Sequence, residues 1–96
     1  LVFVVLPSSW HCDEDKRVAA LQSMGFDAKD FRRGLAQQRW LAVAAAAGVP
    51  ALDATPIVTA AGAARDLFIA DGGHFDPRGN EVVARWLAKE LVGRLR

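Results

Sequence analysis

Asp71 and His74 frame the tetrapeptide DGGH and are the residues best placed to do chemistry. An imidazole is a useful base near neutral pH when one ring nitrogen is held and the other stays free. A carboxylate supplies that hold by accepting the Nδ1 proton, and it stabilises the imidazolium that forms. Gly72 and Gly73 permit the tight backbone path that turns both side chains toward one point. Behind them, Asp76-Pro77 reads as a helix cap followed by proline in the first turn, which would pin the loop. The expected chemistry is proton transfer by His74, oriented by Asp71. Two plainer readings use the same residues. DGGH could be a turn with an exposed histidine. His74 with Asp71 and Asp76 could also begin a metal site, but this would need two further ligands from elsewhere, and Asp76 is better explained as the cap. Gly79 falls in the first turn of the helix, where a missing side chain would let the loop approach.

The other reactive residues cluster near the start, in "PSSWHC". Cys12 is the only cysteine, so an internal disulfide is excluded, and no Cys/His spacing suggests zinc. Ser8 and Ser9 follow a strand and could lie near a sheet edge. They lack the framing glycines of a strand-to-helix nucleophile turn, so neither reads as a nucleophile. Trp10 and His11 would line a cleft or, more plainly, cover the end of the sheet. No metal or organic cofactor is called for.

The elements that must position these residues alternate between strand and helix. LVFVVL, Leu1 to Leu6, is apolar throughout, the pattern of a parallel strand covered on both faces. Pro7 ends its pairing, and SSWHC is expected as a loop. A surface helix follows from Asp13 as cap to Gly25, with Val18, Leu21 and Met24 as its apolar stripe. A longer helix is expected from Asp30 as cap to Gly48, with Phe31, Leu35, Leu41, Ala44 and Ala45 on its inner side. Gly34 would sit inside that helix at a cost of about 1 kcal/mol relative to Ala. A short strand, Val49 to Ala54, precedes a helix capped by Thr55 and running to Ala61. An extended piece in DLFIADGG leads to the last helix, about Pro77 to Leu95. There Val83, Trp86, Leu87, Leu91 and Leu95 recur at helical spacing. Glu81–Arg85 and Glu90–Arg94 form i,i+4 pairs in the favoured order. The whole predicts α/β layering.

The chain has 96 residues, which suits one small domain. Its 52% hydrophobic content excludes a disordered tail, and its net charge of +1 gives no footprint for nucleic acid or an anionic membrane. No apolar run approaches the ~20 residues of a membrane span. Residue 1 already lies inside an apolar strand, and the expectation is a piece of a longer protein.

The block DGGHFDPRGNEVVARWLAKEL resembles the C-terminal catalytic block of the SGNH/GDSL hydrolase superfamily: an Asp, two residues, a His, then a Gly and an amphipathic helix. GVPALDATPIV looks like the strand and turn before that block, and LVFVVLPSS is similar to a family strand ending in Pro. The resemblance implies a flavodoxin-like, three-layer α/β/α sandwich with a parallel sheet, of which residues 1–96 form the C-terminal part. It implies His74 as general base and Asp71 as its orienting carboxylate in a serine esterase or other acyl hydrolase. The substrate would be an acyl ester or an acetylated carbohydrate. The family's Gly-Asp-Ser block does not occur here, and neither do its oxyanion glycine and asparagine blocks; the only asparagine, Asn80, follows His74. The isolated chain is therefore expected to be inactive, with the nucleophile supplied from upstream. Two other readings stay open: O-acetyl transfer to a polysaccharide, and a non-enzymatic α/β binding module. The compartment is not legible; an exported parent, periplasmic or secreted, is compatible with the lone cysteine. The first strand is expected to pair with the strand near Leu52 on one side. On the other it would pair with a missing segment or a second copy.

Overall fold

The computed structural model describes residues 1–61 and 67–94. It is a mixed α/β structure built on a small parallel sheet. The strands are β1, Phe3–Val5, and β2, Ala51–Asp53. Phe3 lies opposite Ala51, Val4 opposite Leu52 and Val5 opposite Asp53. Between them run α1, Ser9–Cys12, α2, Glu14–Ser23, and α3, Leu35–Ala46; α4, Thr55–Ala60, and α5, Pro77–Arg94, follow. The expected order of strand, helices, strand, helix, loop and helix is present.

The first strand is shorter than its composition suggests. Leu1 and Leu6 lie outside it and are exposed, as is Phe3. Its partner sets the limit. Pro50 has no N–H to give and contributes only its carbonyl, which accepts from Phe3 N at 2.9 Å. At the other end Ala54 donates to Val5 O and the chain turns into α4. Coverage on both faces is not met within the described residues: only Val5 of the strand is buried, and Phe3 stacks on the exposed Trp40 at 5.8 Å.

Several helix boundaries move for local reasons. SSWHC is a helical turn, not a loop. Asp13 caps α2 as expected, its Oδ1 accepting from Asp15 N and Lys16 N, and Gly25 follows the helix at φ 82°. Val18 and Leu21 are half-buried, whereas Met24 is exposed. The long helix does not start at Asp30. That residue closes a 3₁₀ turn, Ala28–Asp30, whose cap is Asp27. Gly34, at φ 82°, then begins α3 from the left-handed region, so it marks the start of the helix and imposes no mid-helix cost. Phe31, left outside the helix, is exposed and packs edge-on against Phe26. Within α3, Ala44 is buried and Leu35 and Leu41 are half-buried, but Ala45 faces out. Thr55 does not cap α4; Ala54 holds the cap position, and the Asp53 carboxylate before it accepts from Thr55 N at 2.9 Å.

The core joins α1, α4, α5 and the segment before α5. Cys12, Ala54, Val58, Leu67, Phe68 and Val83 are its buried members, with Ile57, Phe75, Val82 and Trp86 packed against them. The last helix follows its sequence pattern. Val83 is buried, Trp86, Leu87 and Leu91 are half-buried, and Glu81 meets Arg85 at 2.6 Å. Asp66, at the start of the expected extended piece, and Leu95 lie outside the described residues.

Candidate acid–base site

The segment before α5 is a tight hairpin. Phe68 bridges Phe75 in antiparallel fashion, and their rings stack at 5.0 Å. Ile69 N donates to His74 O and Asp76 N to Leu67 O, so the two arms are tied at both levels. The bend is closed by Gly72 N donating to Ile69 O, with Gly72 itself at φ 70°. Only glycine takes that conformation without strain, which is why the tetrapeptide can fold back on itself.

The bend brings Asp71 and His74 together. Asp71 Oδ2 lies 2.6 Å from His74 Nδ1. Its other oxygen, Oδ1, accepts from Gly73 N at 2.8 Å and His74 N at 3.1 Å. The carboxylate thus fixes the backbone of the turn and the ring of the histidine at once. The His74 bond, followed by that from Gly73, holds Asp71 below the usual carboxylate range. The histidine side chain is 78% exposed. With Nδ1 held by an ionised acceptor, the neutral ring carries its proton there and leaves Nε2 as a lone-pair base.

The hairpin is fixed to the rest of the fold at two points. Asp76 Oδ1 accepts from Gly79 N at 2.9 Å, so Asp76 is the cap of α5 rather than part of a metal set with His74. Gly79 is buried, and a Cβ there would overlap the Leu67 carbonyl and the Phe75 ring. The missing side chain is what lets hairpin and helix touch. At the other point, Ser9 N donates to Gly72 O at 2.8 Å. A Cβ on Gly72 would meet Ser9 Oγ at 2.7 Å. Ser9 therefore lies directly against the turn, but it is only 2% exposed. A substrate carbonyl cannot reach so buried a hydroxyl, and Ser9 acts as a support for the loop. Ser8 N donates to His11 Nδ1 at 2.9 Å, which ties the second serine into the α1 turn.

Cys12 is buried in the core, and burial pushes its thiol above the usual value, only partly opposed by the Thr59 hydroxyl. A thiol kept protonated is inert as a nucleophile. Burial likewise lowers His11 below the ordinary 6.5, with the Asp53 carboxylate opposing it. The folded chain therefore holds His11 neutral while the unfolded chain takes up a proton first. Stability linked to His11 is fully present above pH 6.5 and is lost as pH falls from there through the folded value. Urea unfolding at a series of pH values is expected to show this loss. His11→Asn, which cannot titrate, should flatten the curve over that window.

One further cleft lies outside the carboxyl ends of the two strands. It measures about 460 Å³ and is lined by His11, Arg33, Gln37, Asp53, Thr55 and Thr59 among others. Gln37 is 6% exposed, whereas its polar neighbours Gln38 and Arg39 in the same helix face out. Its Oε1 and the Thr55 Oγ1 are buried without a hydrogen-bond partner. Each such group costs about 1–3 kcal/mol. Sequence reasoning passed over this cleft, because the adjacent Gln37 and Gln38 give no sign in the sequence of which one is buried.

No protein-family model matches this chain, and neither a curated protein nor a solved structure does so.

Proposed function

We propose that this chain carries the Asp–His pair of a serine esterase or related acyl hydrolase of the SGNH type. In this reading the two strands are part of a larger three-layer sandwich whose remaining segment brings the serine. The observation that supports it is the 2.6 Å contact between Asp71 Oδ2 and His74 Nδ1, in a turn whose histidine is open on its far side. His74 Nε2 would take the serine proton during attack and return it to the leaving alcohol, while Asp71 stabilises the imidazolium. The acyl group would rest on the serine between the two steps and then pass to water.

The 96-residue chain by itself is expected to hydrolyse aryl acetates no faster than free imidazole. Serine attack and oxyanion stabilisation supply most of acyl-transfer catalysis, and their sequence blocks are absent. A serine-directed phosphonate should not label it. The longer reading frame around it should contain Gly-Asp-Ser, and its product should be labelled at that serine in a His74-dependent manner. Saturable, phosphonate-sensitive turnover by the 96-residue chain would overturn this reading, as would labelling of the longer protein that ignores His74→Ala.

The same reading gives the chain a tendency to self-associate. Among the described residues β1 pairs only with β2, and no charge interrupts Leu1–Leu6. An open strand edge of this kind invites pairing. Phe3, Leu6, Trp40 and Val43 add exposed apolar surface nearby. Burying ~400 Å² of it gives about 10 kcal/mol before the cost of association. Light scattering at high micromolar concentration is expected to show dimers or larger species, and a stable monomer there would count against the edge pairing. Among the described residues no helix is long and apolar enough to cross a membrane.

A further inference from the structure

We infer that the cleft between α2 and the start of α3 is a binding site for an amphiphilic anion, an apolar chain that ends in a small anionic head group. This inference does not rest on the esterase reading, since no residue of the hairpin lines the cleft. Its volume of about 520 Å³ falls in the range of small-molecule sites. Arg17 of α2 donates to the carbonyls of Ala28 and Phe31 at 3.3 and 3.0 Å, which ties the connecting segment to the helix. The walls are therefore set before any ligand arrives, and a ligand does not bear the cost of ordering them.

The walls ask for an apolar chain. Trp10, Leu21, Met24, Phe31 and Leu35 line the cleft. Three of them are open to water: Met24 is 61% exposed, and Phe31 and Trp10 are exposed as well. Met24 belongs to the apolar stripe of α2, but the core lies elsewhere and gives it nothing to enter. A chain laid in the cleft would remove apolar surface from water on both sides of the contact.

The charged groups select the head. Arg17, Arg32 and Arg33 line the cleft, and no aspartate or glutamate does. Glu14, outside the lining, takes both nitrogens of the Arg17 fork on its two oxygens, at 2.7 and 2.8 Å. It therefore reaches Arg33 only at 3.7 Å. Arg32 donates to Gln38 Oε1 at 3.0 Å, and that acceptor is neutral. One carboxylate thus stands against three guanidinium groups. A carboxylate head matches the planar fork of an arginine. An ammonium head is repelled, a hydroxyl head gains little, and an anion without a tail leaves the walls uncovered.

The test is a titration of the ¹⁵N-labelled 96-residue chain with octanoate, and separately with octan-1-ol, octylammonium and acetate. Octanoate is expected to shift the Leu21, Phe31 and Leu35 amides saturably. Going from hexanoate to octanoate to decanoate should tighten binding about tenfold per step, since each step buries two more methylenes. Octan-1-ol should bind about fivefold more weakly than octanoate and octylammonium more weakly still, the size of effect that exposed charges give. Acetate should move nothing. Replacing both exposed arginines, Arg32→Gln with Arg33→Gln, should bring octanoate down to the affinity of octan-1-ol and leave octan-1-ol unchanged. Unmoved Val58 and Val83 signals check the fold of that variant. Unmoved cleft amides at ~10 mM octanoate would overturn the inference. So would shifts as large at Trp40 and Val43 as in the cleft, affinity that ignores chain length, or a preference for octanoate that survives loss of both arginines.

Discussion

On the proposed esterase reading, replacing His74 by alanine in a longer protein that supplies the serine is expected to lower kcat at least ~10³-fold with little change in Tm. The catalytic loss follows from removing the only group in the turn able to take the serine proton. The small stability effect follows from exposure: the side chain is 78% open, and the backbone bonds of the turn end on Asp71, not on the ring. Asp71→Asn should be nearly as severe, because an amide can present its NH₂ to Nδ1 and drive the ring proton to Nε2, the wrong tautomer for a base. Its Oδ1 could still accept from the Gly73 and His74 amides, so the turn should persist. Steady-state kinetics on both variants, with thermal unfolding in parallel, check this. Near-normal kcat in the two variants would remove the pair from the mechanism.

Gly79→Ala is expected to destabilise the fold by about 3 kcal/mol, seen as a fall in Tm of ~10–20 °C. The usual rule runs the other way, since alanine in a helix is favoured over glycine by about 1 kcal/mol. Here the added methyl would collide with the Leu67 carbonyl and the Phe75 ring. It would force the hairpin off the helix, or break the Leu67–Asp76 bond that closes the hairpin. Gly93 provides the contrast in the same helix: a Cβ there meets nothing within 4 Å. Gly93→Ala should therefore raise stability by about 0.5–1 kcal/mol. Thermal or urea unfolding of the two variants checks the opposite signs. Equal effects would mean that the hairpin is not seated on α5 as described.

Local chemistry was legible in the sequence where one or two residues decide the outcome. Asp13 and Asp76 as caps, Gly25 and Gly48 at helix ends, and the stripe through Val83 and Trp86 all follow from short-range rules. So does the meeting of Asp71 and His74, which needs only two glycines and a bend. What was not legible depends on partners far along the chain. Leu1 to Leu6 has the composition of a longer strand, but β2 offers only three residues to pair with, because Pro50 precedes it and α4 follows. Asp30 and Gly34 illustrate a competition between signals. Both an aspartate and a left-handed glycine can open a helix, and Asp27 had already capped the turn that contains Asp30. The cleft around Gln37 was missed because burial of a polar side chain is set by tertiary packing, which spacing along one helix does not reveal.

The bond from Ser9 N to Gly72 O joins segments far apart in the chain, whereas the other hairpin bonds among the described residues are local. Formation of the acid–base pair and its placement on the scaffold are therefore separable events. The hairpin can close on the microsecond scale of short β-structure, but docking must await closure of the long loop between Ser9 and Gly72. Amide hydrogen exchange offers a reading of each event. Protection at Ile69 and Gly72 reports that the turn exists, and protection at Ser9 reports that it has arrived. A substitution that frees Ser9 while leaving Ile69 protected would leave a chemically intact pair that has lost its address.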